Sequence, residues 1–275
     1  MRRCRRDDGF ERRVSGRVLM LIGAIFLGCC SAYAQVSVEG PLSYEFDTSC
    51  GEICEGQFVV ANSGTEDVQV MIEPRDYLFF ADGRNEYASP GTVDRSNAMW
   101  LRIQVPSLME IGPGERRSVP FRVAIPESLE LLGTYWSIIL VRPMQPETDS
   151  AEAAVRQVLQ YGVQVVTHLG DTAEPRIEVI AADLAVGRDE ATLTVDIANV
   201  GERWARPRSW VELFDGGGNP LGDVSGNQLR IFPGTSVRFT FSLPAGLGQT
   251  CYAMVVLDNG EDDGSVWGIQ LTLEL

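Results

Sequence analysis

The sequence predicts an all-β protein: two immunoglobulin-like β-sandwich domains in tandem, behind a cleaved signal peptide. Three observations predict it. From residue 35 onward, short alternating or continuous apolar runs are separated by Gly, Pro and Asn turn signals, and no amphipathic helix of useful length interrupts them. The run 133–141, G-T-Y-W-S-I-I-L-V, is mostly aromatic and β-branched and reads as a strand buried on both faces; 248–257, G-Q-T-C-Y-A-M-V-V-L, is a near-copy. Finally, landmarks recur in order: Asn62-Ser63-Gly64 with Asn199-Val200-Gly201, Pro113-Gly114 with Pro233-Gly234, and Tyr135 with Tyr252, at offsets of 137, 120 and 117 residues. Short strands at even spacing with turns between them indicate sandwiches. The fall in offset after the first landmark places an insertion in the first half, within the polar loop 82–97.

Residues 1–34 read as a leader. Seven arginines crowd the first seventeen residues, an apolar run follows at 18–27, and Ala32-Tyr33-Ala34 is a small-x-small cleavage pattern. The run is too short for a permanent span, so cleavage after Ala34 and export to the periplasm or beyond are expected, with a retained anchor as the alternative. The first domain is expected over 35–172. Its strands are 36–38 and 42–46, broken at Gly40-Pro41, then 57–61, 68–72, 100–105, 118–125, 133–141 and a long alternating stretch, 155–169. Only 127–132 and 151–155 could hold a helical turn. After a linker at 170–175 the second domain, 173–275, repeats the scheme with strands at 177–184, 191–198, 210–214, 229–232, 237–243, 248–257 and 267–273.

Charge and composition restrict function. The chain has 23 arginines and no lysine; without the leader, 16 arginines stand against 35 acids, a net charge of −19. A surface this acidic repels nucleic acid and anionic lipid. Of the cysteines beyond the leader, Cys50 and Cys54 are spaced for a disulfide in an oxidising compartment, a metal or redox pair being the alternative, whereas Cys251 falls in a core strand. His168 is the sole histidine, which leaves no Ser-His-Asp or Cys-His constellation with a nucleophile beside it, and neither a G-x-S-x-G elbow nor a P-loop is present. No enzyme activity, cofactor or metal is expected. The acidic turn from Asp258 to Asp263 is read as solvated, with calcium as the alternative.

Five features of the first half follow one another: Asn62-Ser63-Gly64, the alternating run from Trp100, Pro113-Gly114-Glu115, Ile125-Pro126 and Gly133-Thr134-Tyr135. This order resembles the N-terminal domain of periplasmic pilus chaperones (PapD-like proteins) and is similar to the first domain of WxL-associated bacterial cell-surface proteins. The resemblance implies an exported protein that lends a strand edge to subunits of the cell envelope or a surface fibre, a form of β-augmentation. On this reading the partner-binding strand is 155–169, with Val155, Leu159, Tyr161, Val163 and Val165 on its apolar face. The family anchors the subunit's terminal carboxylate with a basic pair; this chain has no arginine between residues 35 and 74, so Arg142 and Arg156 are the candidate anion anchors. The alternative is a structural or adhesive envelope protein that binds a glycan or surface partner through its loops, the loop 82–97 foremost.

Overall fold

The computed structural model describes residues 35–128, 130–144, 159–187, 190–244, 247, 250–260 and 264–274. Among them the chain is all-β, apart from one 3-10 turn at Ala98–Trp100. The leader expected over residues 1–34, with its cleavage site, lies outside the described residues.

The first sandwich opens with β1 (Val36–Glu39) and β2 (Ser43–Thr48). Gly40, at φ 106°, and Pro41 break the strand between them, and the break sends the two halves into different sheets. β3 (Ile53–Asn62) follows, then β4 (Val68–Phe79), β5 (Asn85–Ala88), β6 (Leu101–Ile103), β7 (Leu108–Ile111), β8 (Arg116–Ala124), β9 (Gly133–Pro143) and β10 (Tyr161–Leu169). One sheet has the order β1-β3-β8-β6; the other runs β2-β10-β9-β4-β5, with β7 also on β4. Pro74 lies inside β4, between the residues that pair with β7 and those that pair with β5, so its missing N–H breaks no ladder. The loop 82–97 is therefore not all loop: β5 forms a hairpin with the end of β4. The segment 127–132 holds no helix among its described residues.

The second sandwich comprises β11 (Ile177–Val186), β12 (Ala191–Asn199), β13 (Arg208–Phe214), β14 (Pro220–Ser225), β15 (Ser236–Leu243), β16 (Thr250–Asp258) and β17 (Val266–Glu274). Its sheets are β11-β12-β15 and β14-β13-β16-β17. The expected strand at 229–232 is instead a coil with a single bridge, Ala205 to Ile231.

Each sandwich encloses its own core. Phe58, Val60, Ile72, Phe121, Ile139 and Val163 belong to the first; Leu193, Ile197, Leu213, Phe239, Phe241 and Val255 belong to the second. Cys251 is fully buried in the second, and burial pushes its thiol above the usual range. A third cluster joins the two sandwiches: Trp136 and Val166 from the first meet Phe232 from the second, with Tyr77, Phe79 and Trp204 packed around them.

The repeat read from the sequence is a repeat of hydrogen bonds. Asn62 donates through Nδ2 to the Glu66 and Ile111 carbonyls and accepts the Gly64 amide. Asn199 donates to the Arg203 and Ile231 carbonyls and accepts the Gly201 amide. Gly114 and Gly234 take positive φ, 69° and 80°, in the matching turns. The third landmark fails. Tyr135 packs into the first core, whereas Tyr252 points outward between Cys251 and Ala253, both buried. Alternation has period two, so this one-residue slip reverses the facing.

Candidate functional site

The nine residues 133–141 of β9 are all buried. Tyr135, Ile139 and Val141 face the first core, but Trp136, Ile138 and Leu140 point to the other side of the sheet, away from it. Near Trp136 that outer face is covered by the second sandwich. Further along it is open as a groove of about 340 Å³, lined by Leu42, Tyr77, Tyr87, Ile138, Leu140 and Gly162, with Gln160 and Gln164 at its side. Tyr77 and Tyr87 stack at 5.1 Å to form one wall, and the Tyr77 hydroxyl donates to Asn85 Oδ1. Burial, and then Tyr87, holds the Tyr77 phenol above its usual range, so it is a neutral donor at neutral pH. Leu42 and Tyr87 are about half exposed, at 49% and 54%.

β10 forms the opposite wall. It pairs with β9 along its whole length, Tyr161 with Val141 through Leu169 with Gly133. On its other side β2 runs parallel, from Gln164 beside Ser43 to Leu169 beside Thr48. Over those six residues the strand expected to be an edge is thus interior. Tyr161–Val163 has no strand on that side among the described residues. The Gln164 amide donates sideways to the Leu42 carbonyl. Strand alternation then aims the Gly162 N–H and C=O the same way, in the plane of the sheet and away from β9, at the rim of the groove.

The residues singled out from the sequence fall unevenly around this edge. Val155 and Arg156 lie outside the described residues. Leu159 is exposed and leads into the open stretch. Tyr161 packs against the first core and donates its hydroxyl to the Val36 carbonyl. Val163 and Val165 are fully buried in that core, so their side chains do not face a partner. The apolar alternation of β10 serves its own sandwich, and the exposed face is the one that carries Gly162. Arg142 is paired with Glu73 at 3.5 Å, which also holds Arg75 at 2.8 Å, so it is not a free cation for an anion. The expected disulfide is absent. Cys54, on β3, points toward the first core, whereas the Cys50 thiol leaves the preceding turn to donate to the Ser128 carbonyl, so the two sulfurs face different neighbours.

The sequence reading missed Tyr77, Tyr87, Ile138 and Leu140, although a strand with more apolar faces than one core requires was the signal for the last two. It also missed Arg230, in the stretch read as a strand. Its guanidinium donates to Ser43 Oγ at 3.0 Å and to Gln164 Oε1, pairs with Glu45 and lies over the Trp204 ring. A larger hollow of about 680 Å³ lies over β13 and β14, lined by Trp210, Glu212, Phe214 and Asp223. It adjoins no open stretch of β10, and backbone groups left without a ladder among the described residues favour the smaller groove.

No protein-family model and no curated protein matches the chain. Solved structures do. A chain of a chaperone–tip adhesin complex of CFA/I fimbriae biogenesis is 11% identical with a TM-score of 0.46, covering 87% of this chain and 98% of its own. The class 5 fimbriae chaperone CfaA is 12% identical at 0.44, covering 87% and 100%. A chain of the CsuC–CsuE chaperone–tip adhesion subunit pre-assembly complex from Acinetobacter baumannii is 13% identical at 0.42, covering 86% and 98%. At such identities and TM-scores these likenesses assign no role to this chain; the two sandwiches rest on the strand order and the separate cores described above.

Proposed function

We propose that this chain is an exported, non-enzymatic, chaperone-like assembly factor that takes up an extended strand of an envelope or surface-fibre subunit along Tyr161–Val163. One observation carries the reading: among the described residues, the strand backbone at Tyr161–Val163 has no strand on its outer side, and it runs beside an apolar groove. A strand added there satisfies the outward Gly162 groups, and its alternate side chains enter the groove over Ile138 and Leu140. The reading takes residues 35–172 and 173–275 as the two domains, and residues 1–34 as a leader removed on export to the periplasm or beyond. It places no terminal-carboxylate anchor at Arg142.

The test is complex formation between the exported chain and an envelope or fibre subunit encoded beside it, with Gly162→Leu as the probe. A Cβ at Gly162 meets Ile138 Cδ1 at 3.5 Å, an ordinary contact, so the new side chain fills the groove without strain. Loss of the complex with an unchanged melting temperature supports the reading. A complex that survives Gly162→Leu removes the groove from it.

A further inference from the structure

The third cluster contains an arrangement that packing alone does not require. His168, Trp204, Phe232 and Trp136 are stacked in that order. Trp136 lies 4.5 Å from Phe232 at 20°, Phe232 lies 6.2 Å from Trp204 at 21°, and Trp204 lies 5.5 Å from the His168 ring at 23°. The outer pair comes from the first sandwich and the inner pair from the second. His168 is buried, and Nδ1 lies 3.1 Å from Thr134 Oγ1. Thr134 Oγ1 accepts the Trp204 backbone N–H at 3.1 Å, and the Thr134 amide donates to the Glu202 carbonyl at 2.8 Å. Thr134 Oγ1 thus accepts the Trp204 N–H with one lone pair and shares a second hydrogen bond with Nδ1 of the buried ring.

We propose that His168 is a pH-sensitive latch between the two sandwiches, closed while its buried ring is neutral and opened when the ring takes up a second proton. Protonation puts a charge on a ring that is out of water at the junction, within the influence of two guanidinium groups, Arg203 and Arg230. The charged groups around the ring come from three sides: Glu45 and Asp47 on β2, Arg203 beside Trp204, and Arg230 ahead of Phe232. Arg203 is tied to the Gly170 carbonyl and Arg230 to Glu45, while Glu202 is bound by Arg95. Burial is the largest influence on His168 and lowers its pKa below the ordinary 6.5; the two arginines push the same way and the two carboxylates oppose them. The sign follows. A depressed folded-state pKa means that the neutral form is the one the junction stabilises. Its contribution is complete above the unfolded value and is lost as pH falls through the folded one.

The single histidine makes the test direct, because its ring signal in the NMR spectrum of the full chain needs no assignment. Its titration is followed beside hydrogen exchange at the Trp204 and Thr134 amides, corrected for the intrinsic pH dependence. From about pH 7.5 to about pH 5, exchange at both is expected to rise roughly tenfold or more, with the midpoint of the histidine titration below 6.5, while the Val255 amide in the second core stays protected. His168→Gln, which cannot titrate, is expected to abolish the step. A histidine that titrates with no change at the two amides overturns the proposal, and so does a step that persists in His168→Gln. If that variant does not fold, coincidence or divergence of the two wild-type midpoints decides the matter.

Discussion

Replacing Gly133 by alanine probes how tightly the two sandwiches are joined. Gly133 has φ 83°, and a Cβ there would come within 2.2 Å of the Glu202 carbonyl oxygen and 2.9 Å of its carbon. These are backbone atoms and cannot swing aside. The left-handed conformation alone costs an alanine about 1–2 kcal/mol. Relief of the clash must move the Glu202 segment and break the hydrogen bond from the Thr134 amide to the Glu202 carbonyl, worth about 1 kcal/mol more. The sum is about 2–3 kcal/mol, and for a folded chain of this size it lowers the melting temperature by roughly 4–12 °C. Gly114→Ala is the control: φ is 69°, and nothing lies within 4 Å of the added atom, so only the conformational cost applies, about 1–2 kcal/mol. Thermal and denaturant unfolding of both variants measure the difference. Equal losses would refute the reasoning, because the clash at the junction would then contribute nothing.

Other consequences are open to measurement. The fully buried Asp76 carboxylate accepts the Thr92 and Val93 amides at 2.7 and 2.9 Å, the Gly91 amide at 3.3 Å and the Ser96 hydroxyl. Asp76→Ala should cost about 3 kcal/mol or more in denaturant unfolding and expose the 89–97 segment to protease. Asn62→Ala and Asn199→Ala should each cost about 1–3 kcal/mol, and because they serve separate cores the double variant should lose their sum. In the native chain from residue 35, Cys50 and Cys54 should react with a thiol reagent without prior reduction, while Cys251, its thiol buried, should react only after denaturation.

The architecture was legible because it depends on local signals. Gly133 followed by eight residues with little polarity could only be an interior strand, and Asn-x-Gly marks a turn whose side chain has defined partners. The site was less legible because it depends on what lies beside a strand. β10 alternates in a way that suits an edge or an interior position equally. Which it is depends on parallel pairing with β2, some 120 residues away in the chain, as Ser43 and Gln164 show. The same long-range closure turned Val163 and Val165 inward. β14, with its proline, glycine and aspartate, lacks strand propensity and exists because β13 offers it a ladder. Residues 229–232 carry a strand's apolar content, but Arg230 and Phe232 are drawn to the junction between the sandwiches.

The central claim is that backbone pairing at Tyr161–Val163 takes up a partner strand. Amide hydrogen exchange at Gly162 tests it, measured with and without a synthetic peptide of alternating apolar residues from a neighbouring fibre or envelope subunit. The account predicts that the Gly162 amide becomes protected on binding, while Val163, already laddered to β9, does not change. Peptide binding that leaves Gly162 unprotected would contradict it.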